Sequence, residues 1–275
     1  MSDKLIVITS LDVEEEGLFS GSYPRKKLAV SNVSQLPILG PLSLDLGFPL
    51  TLFCTYSVFA NAEAAKTVGW MKERCGAEIG AHLHHWSTPP YLENESEKPE
   101  RTDKMPEDLF ISRLDSLLKA GKSFLGEPLR VFRMGRWDLK SRLLPILAGH
   151  GIKVDSSVNP LRAFRAGPNH FDAPADPYWV EFADGSRILE APITQISLFP
   201  GLARMWQKIG SKNQKMLDSF HFFGALSVNP FWHGEKIMRL AVRLHKARGG
   251  RVIIRKFQLI HTVKARHRTE LLLFV

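Results

Sequence analysis

The stretch Glu78-Ile79-Gly80-Ala81-His82-Leu83-His84-His85-Trp86 carries the most information about the fold and chemistry of this chain. Its first residues predict a short buried strand, and three histidines follow within four positions. Neutral imidazole is the commonest protein ligand of a catalytic metal ion. A lone histidine is more often structural or exposed, but three at the end of a strand indicate a candidate metal site.

The rest of the chain alternates between apolar runs of strand length and segments with helical spacing. The runs that predict strands cover residues 5–11, 50–56, 77–83, 129–132, 152–154 and 251–254. The segments that predict helices cover residues 61–74, 106–125, 138–148 and 234–247. This alternation predicts an α/β fold with a parallel sheet, open or closed into a barrel, and with its chemistry at the carboxyl ends of the strands.

Three further segments complete the predicted layout. Residues 19–48 have no clear period and predict a long loop with little regular structure. Residues 87–105 are polar and predict an exposed loop that follows the histidines. Asp184-Gly185, between two short apolar runs, predicts a hairpin.

An acidic cluster follows the first predicted strand. Asp12 and Glu14 share one face if that strand continues through them, whereas Glu15 and Glu16 are interpreted as a solvated loop. One carboxylate and two imidazoles can form a three-ligand site for a divalent metal with an open position. The second carboxylate could take a proton from a water bound there, and the arginines after the fourth strand could orient that base or bind substrate.

Composition limits the classes of protein to consider. The chain has 275 residues, of which 44% are hydrophobic and 24% charged, as is typical of a globular protein of one large domain. Its two cysteines cannot form a disulfide framework. No segment predicts a membrane span, and the apolar run Leu5–Ile8 is too short for the core of a signal peptide. We therefore expect a cytoplasmic protein, with peripheral membrane contact left open.

The positive charge is concentrated at one end of the sequence. Residues 201–275 contain 15 lysines and arginines against 3 acidic residues, within a total net charge of +9. A basic segment can meet nucleic acid, an anionic membrane surface or an acidic glycan. No nucleic-acid motif accompanies it, so we expect no nucleic-acid partner.

Three motifs in order resemble the polysaccharide deacetylase family, carbohydrate esterase family 4. They are Ser10-Leu11-Asp12-Val13-Glu14, Glu78-Ile79-Gly80-Ala81-His82-Leu83-His84 and Arg133-Met134-Gly135-Arg136-Trp137. The chain is most similar to the cytoplasmic branch linked to synthesis of bacterial surface polysaccharides. The resemblance spans roughly residues 4–252 and implies a distorted, TIM-like (β/α) barrel. It also implies a divalent metal (zinc first, cobalt or nickel as alternatives) and hydrolysis of an N-acetyl, less often O-acetyl, group on a sugar or polysaccharide precursor.

The resemblance assigns roles position by position. Asp12 resembles the catalytic base, and Glu14 stands where a metal-binding aspartate is usual, which leaves the two roles open to exchange. His82 matches the first metal histidine. The spacing to the second is short, so we assign it to His84 with His85 as the alternative. Arg133 or Arg136 is expected to orient the base. Trp86 and Trp137 are expected to bind the sugar.

The sequence departs from the family after its last strand. A histidine that acts as general acid is expected there, but Arg255-Lys256-Phe257 follow Ile254. We therefore divide the chain into a deacetylase-like catalytic domain, residues 1–252, and an atypical basic and apolar tail, residues 253–275. We hypothesise that the reading frame shifted near Ile253, which resequencing the gene would test, and that activity is impaired as a result.

Three functions remain open at this stage. The first is a metal-dependent deacetylase acting on carbon–nitrogen bonds other than peptide bonds, with an acetylated amino sugar or glycan precursor as substrate. The second is a hydrolase of a small non-sugar amide. The third is a non-catalytic relative of the same fold that binds a glycan or a partner.

Overall fold

The computed structural model describes the side chains of residues 9–18, 23, 25, 28–93, 101, 102, 104–162 and 167–193. Beyond them it describes the backbone of five short strands. The chain divides into two compact units, residues 8–193 and residues 1–7 with 194–275, and each is described by itself. The boundary predicted at residue 252 stays a prediction.

The larger unit is built on a sheet of seven strands. These are β1 (Thr9–Val13), β2 (Leu50–Cys54), β3 (Glu78–Leu83), β4 (Val131–Met134), β5 (Val154–Asp155), β6 (Tyr178–Glu181) and β7 (Arg187–Glu190). Their order across the sheet is β1-β2-β3-β4-β5-β7-β6. All neighbouring pairs are parallel except the β6–β7 hairpin. The predicted α/β fold, its parallel sheet and the hairpin at Asp184-Gly185 are confirmed.

The strand register brings the candidate site residues to one edge of the sheet. A single row of paired residues crosses six strands, namely Val13, Cys54, Ala81, Phe132, Asp155 and Glu190. One position further on, His82 lies beside Arg133. Because parallel strands present their carboxyl ends together, the residues that follow this row share one edge of the sheet.

Among the described residues of this unit, five α-helices and three longer 3-10 segments accompany the sheet. They are α1 (Gly40–Leu44), α2 (Tyr56–Ala60), α3 (Ala62–Cys75), α4 (Glu107–Leu125) and α5 (Leu144–Gly149), with 3-10 turns at Ser31–Leu39, Gly135–Trp137 and Ser141–Leu143. The predicted start of α3 is confirmed, since the Asn61 side chain accepts a hydrogen bond from the Ala64 amide at 3.0 Å. Gly76 and Gly126 end α3 and α4 in the left-handed region that glycine adopts most readily.

The core lies between the sheet and its two long helices. All five residues of β2 are buried, as expected of a central parallel strand covered on both faces. The buried face of α3 includes Val68 and Met71, and that of α4 includes Phe110 and Leu114. Each such side chain contributes roughly 1.5–3 kcal/mol when it is fully removed from water. This packing makes the sheet edge a rigid support for the polar residues beyond it.

Three predictions need correction in part. Residues 19–48 were expected to form a long loop with little regular structure, but a 3-10 segment and α1 form there. Val33 and Leu36 are buried, and the Glu16 carboxylate accepts hydrogen bonds from the Ser31 hydroxyl and the Asn32 amide. The loop over residues 87–105 was expected to be exposed, and this holds for Pro90, Leu92 and Glu93, but Ser87, Thr88 and Thr102 are buried, while residues 94–100 and 103 lie outside the described residues. The helix expected over residues 138–148 is shorter, and Pro145 lies in the first turn of α5, where its missing N–H costs nothing.

The second unit is described by its strands alone. β8 (Gln195–Ser197) pairs antiparallel with β9 (Ala225–Ser227). β10 (Arg251–Arg255), β11 (Gln258–Lys264) and β12 (Glu270–Leu273) form a separate antiparallel sheet. The strand predicted at 251–254 is therefore present but is followed by two more, and the helix predicted over 234–247 lies outside the described residues. Among the described residues, no helix has the length and apolar character needed to cross a bilayer.

Candidate metal centre

A carboxylate and two imidazoles meet beyond the carboxyl ends of β1 and β3. Glu14 Oε2 lies 3.1 Å from His84 Nε2 and 3.4 Å from His82 Nε2. Asp12 Oδ2 lies 3.9 Å from His82 Nε2. The ligand atoms of Glu14, His82 and His84 all lie within 4.8 Å of one another, close enough to bind one ion. The structure therefore brings together the three residues that the sequence assigned to the metal.

In both histidines, Nδ1 makes a hydrogen bond outside the cluster, and Nε2 faces the cluster. His82 Nδ1 lies 3.0 Å from the Arg133 carbonyl oxygen, which can only accept, so Nδ1 donates. His84 Nδ1 lies 2.8 Å from Glu15 Oε2 and donates to that carboxylate. With Nδ1 as the donor, Nε2 is in each ring the nitrogen that faces the cluster, and it can offer its lone pair to a metal once it carries no proton.

Arg133 holds Asp12 beside the cluster. Its Nη1 donates to Asp12 Oδ1 at 2.6 Å, while Nη2 donates to the hydroxyls of Ser10 and Ser156 and Nε donates to the Ser156 carbonyl. Burial raises the pKa of Asp12, but the charges of Arg133 and His82 together hold it below its ordinary value. Asp12 is therefore a fixed, ionised carboxylate next to the candidate metal ligands.

The charges inside the cluster depend on one another. Burial alone would raise the pKa of both Glu14 and Glu15. Hydrogen bonds and charges from His82 and His84 hold the pKa of Glu14 well below its usual range, and the charge and hydrogen bond of His84, with the Ser57 hydroxyl, hold that of Glu15 at about 2. Burial lowers the pKa of His84, and the carboxylates of Glu15 and Glu14 raise it to about 9. Without a metal, His84 therefore carries a proton at neutral pH, which an incoming cation must displace.

The turn after β4 comes close to His84. Arg136 and Trp137 both adopt positive φ angles, of 59° and 49°, which are unusual for residues with side chains. A Cβ on the preceding Gly135 would lie 2.4 Å from His84 Cδ2 and 2.9 Å from the Leu83 carbonyl oxygen. Glycine at position 135 therefore lets the turn approach the imidazole, and the turn forms one wall of the cluster.

The two arginines of this motif are placed differently. Arg133 pairs with Asp12, but the Arg136 guanidinium lies 5.4 Å from the centre of the Tyr23 ring. Among the described contacts, only Arg133 reaches a carboxylate of the site. Of the two candidates for the residue that orients the base, the structure therefore favours Arg133.

The aromatic candidates also differ from each other. The Trp86 ring stacks on His84 with centroids 4.3 Å apart, and only 3% of the residue is exposed. Trp137 is half-buried and has the Arg162 guanidinium 5.9 Å from its ring centre. Trp86 thus packs on a candidate metal ligand, whereas Trp137 is partly exposed. Their predicted sugar contacts stay predictions.

His84 and His85 lie in different positions relative to the cluster. His85 is buried and packs edge-on against Trp86, with ring centroids 5.1 Å apart. It does not belong to the group of described residues whose ligand atoms converge, which contains His84 instead. The structure thus places the assigned residue, and not its alternative, at the cluster.

Glu15 is a site residue that the sequence interpretation missed. It was expected to lie in a solvated loop, but it is 3% exposed and accepts three hydrogen bonds. A signal was available, because Val13 faces the core and the two-residue alternation of a strand puts Glu15 on the same side. Glu16, on the other side, is exposed as expected.

A second pair of acids lies further along the same edge. Asp155 and Glu190 are paired in register on β5 and β7, and each is about 1% exposed. Ser157 donates to Asp155, and the Val158 amide donates to Glu190. Burial raises the pKa of both acids, and the charge of Asp155 raises that of Glu190 further. The pair therefore retains a proton at neutral pH.

This pair should make the fold less stable as the pH rises. A carboxyl whose pKa is raised by folding contributes most below its unfolded pKa of about 4.3, and the contribution is lost as the pH climbs towards the folded value. Replacing Glu190 with glutamine removes that titration, so we expect the fall in unfolding free energy between about pH 5 and pH 9 to shrink by about 1 kcal/mol or more. Urea unfolding at several pH values measures it. Exposed Glu181→Gln is the control, and an unchanged slope in Glu190→Gln would contradict the account.

The donor set fits a divalent metal ion of the zinc type. Two imidazole nitrogens with their tautomers fixed and one ionised carboxylate are ligands that zinc accepts, and three protein ligands leave a position open for a reactant. Cobalt and nickel accept the same donors. The geometry supports a metal centre without identifying the metal.

Comparison with known proteins bears on the fold. No protein-family model and no curated sequence matches the chain. Among solved structures, a protein from Mycobacterium smegmatis assigned as a polysaccharide deacetylase is 18% identical, with a TM-score of 0.51 over 79% of this chain and 74% of that one. Two further structures are less similar, with TM-scores below 0.5. They are PuuE allantoinase (13% identical, TM-score 0.44, 78% and 73%) and a carbohydrate esterase family 4 pseudoenzyme from Bacillus anthracis (14%, 0.37, 56% and 44%).

At this level of identity the comparison concerns the fold alone. It agrees with the α/β fold and the mostly parallel sheet of residues 8–193. It does not separate a cytoplasmic branch from others of the same fold. The chain thus has the α/β fold of the distorted barrels of polysaccharide deacetylases, as predicted, and carries a candidate Glu-His-His metal centre at the carboxyl edge of its sheet.

Proposed function

We propose that this chain is a metal-dependent hydrolase that removes an N-acetyl, or less often an O-acetyl, group from an amino sugar in a polysaccharide or its precursor. The convergence of Glu14, His82 and His84 beside an Arg133-bound Asp12 is the observation that carries the proposal. Hydrolysis of an unactivated amide needs a strong electrophile and a base, and this edge supplies candidates for both.

Glu14, His82 and His84 would hold the metal. A divalent cation there would act as a Lewis acid towards the acetyl carbonyl and would lower the pKa of the attacking water. The role of the chain's own residues is to present fixed lone pairs. The hydrogen bonds from both Nδ1 atoms prevent the imidazoles from rotating or changing tautomer.

Asp12 is the better candidate for the base, and Glu14 for the ligand. Glu14 Oε2 lies within 3.4 Å of the Nε2 atoms of His82 and His84. Asp12 Oδ2 lies 3.9 Å from His82 Nε2, and Asp12 Oδ1 accepts a hydrogen bond from Arg133. A carboxylate beside the ligands can accept the proton of the attacking water through Oδ2. Arg133 keeps Asp12 ionised and fixes its position while it does so.

The sugar is supported by the motif resemblance and by Trp137 at the edge of the site. Trp137 is partly exposed, and an indole ring is suited to packing on the apolar face of a pyranose. A non-catalytic binding protein is the second candidate. It is favoured by Arg255, Lys256 and Phe257, which stand where a leaving-group acid is expected.

Acetate release tests the proposal. Zinc-loaded protein should release acetate from short N-acetylglucosamine oligomers or their O-acetylated forms. Asp12→Asn should lower the rate by about 10²–10⁴-fold while the zinc content stays the same. Exposed Glu16→Gln is the matched carboxylate control and should retain activity. The proposal would be contradicted if zinc-bound wild type released no acetate from any of these sugars. Hydrolysis of small non-sugar amides alone would favour the alternative of a small-amide hydrolase.

A further inference from the structure

Glu15 is the most completely enclosed carboxylate beside the candidate metal centre. Its side chain is 0% exposed, although it directly follows the half-exposed Glu14. A buried carboxylate is costly unless donors replace the water that it has lost. The burial of a charged side chain here therefore suggests a function that depends on its charge.

The two carboxylate oxygens of Glu15 have different partners. Oε1 accepts from the Ser57 hydroxyl at 2.7 Å and from the Ser87 hydroxyl at 3.0 Å. Oε2 accepts from His84 Nδ1 at 2.8 Å. Ser57 belongs to α2 and Ser87 follows the histidine motif, so two separate segments orient the carboxylate towards one imidazole.

The two histidines of the centre are unequal for this reason. His82 donates to a neutral backbone carbonyl, but His84 donates to a charged carboxylate. A charge-assisted hydrogen bond is about twice as strong as a neutral one, and it makes the opposite nitrogen a better electron donor. His84 also packs against Trp86 on one side and the Gly135 turn on another, so its orientation is closely defined.

We infer that Glu15 is the positioning residue of the metal centre: through His84 Nδ1 it fixes the tautomer and orientation of that ligand and raises the affinity for the metal. The inference rests on the metal centre of the proposed function. Ser57 and Ser87 act through Glu15 by holding its carboxylate in line. The centre thus has an outer layer in which Glu15 supports His84 and the Arg133 backbone supports His82.

The first test is the zinc affinity of Glu15→Gln, measured by competition with a chromophoric chelator. Glutamine has the same shape but no charge, and its amide can donate to Nδ1 and so favour the wrong tautomer. Affinity should fall about 10–100-fold. The neighbouring Glu16→Gln removes an exposed carboxylate outside the centre and should leave affinity unchanged.

The second readout is the visible absorption of the cobalt-loaded protein. A weaker imidazole donor changes the ligand field, so the bands of Glu15→Gln should shift, which a purely structural role would not cause. If Glu15→Gln does not fold, the double variant Ser57→Ala, Ser87→Ala keeps the carboxylate but frees it, and should show a smaller loss of affinity in the same direction.

The outcomes separate the two proposals. A wild-type protein that binds zinc while Glu15→Gln binds it within twofold, with an unchanged cobalt spectrum, overturns this inference alone. A wild-type protein that binds no divalent metal overturns the metal centre of the proposed function, and this inference with it. A 10–100-fold loss in Glu15→Gln and a smaller loss in the serine double variant, with Glu16→Gln unchanged, support the inference.

Discussion

Replacing His84 with alanine is expected to lower zinc affinity by about a hundredfold or more, whereas replacing the adjacent His85 should leave it nearly unchanged. Structural zinc sites with four ligands bind with roughly 10–16 kcal/mol, so one ligand accounts for about 3 kcal/mol. His84 Nε2 lies 3.1 Å from Glu14 Oε2, and His85 does not belong to the converging group. Chelator competition on both variants measures the difference.

His85→Ala is a demanding control because both residues are buried imidazoles one position apart. Each variant removes a ring that packs against Trp86, but His84→Ala also removes the buried partner of Glu14 and Glu15, so its loss of folding stability should be the larger. Urea unfolding of the metal-free proteins checks this. Equal zinc affinity of the two variants, or a greater loss in His85→Ala, would show that the second ligand is wrongly assigned.

Gly135→Ala is expected to be the most damaging single-methyl change near the centre. The added Cβ would meet His84 Cδ2 at 2.4 Å and the Leu83 carbonyl oxygen at 2.9 Å. Neither can give way easily, because Glu15 anchors the ring and Leu83 belongs to β3. The imidazole must move, so zinc affinity should fall about 10–100-fold and acetate release by at least as much.

A second glycine supplies the matched control. Gly149 ends α5, has no atom within 4 Å of an added Cβ and does not need a positive φ. Gly149→Ala should keep full zinc affinity and stay as stable as wild type or gain up to about 1 kcal/mol from helix propensity. If Gly135→Ala bound zinc as tightly as Gly149→Ala, the close approach of the turn to His84 would be wrong.

Much of the fold could be predicted because the strong signals are local. The apolar run before His82 and the spacing of Val68 and Met71 depend only on neighbouring residues, and β3 and α3 form there. The 3-10 segment at Ser31–Leu39 could not be predicted in the same way. It is stabilised by the distant Glu16 carboxylate, a contact that no local pattern encodes.

The site was predictable in its ligand residues but not in their support. Imidazoles and carboxylates at strand ends point to a metal, and the structure brings Glu14, His82 and His84 together. Glu15 was overlooked because a charged residue in a run of acids looks solvated, and only the alternation from Val13 shows that it faces inward. The choice of Arg133 over Arg136 required the contact between Arg133 and Asp12, which a sequence does not reveal.

X-ray absorption at the zinc edge of the loaded protein tests the central claim most directly. The account predicts two imidazole nitrogens at about 2.0–2.1 Å, with the remaining scatterers oxygen from Glu14 and solvent. His82→Ala should reduce the imidazole scattering to one ring. A spectrum with sulfur scattering from Cys54 or Cys75, with no imidazole, or with three rings would contradict a centre built from Glu14, His82 and His84.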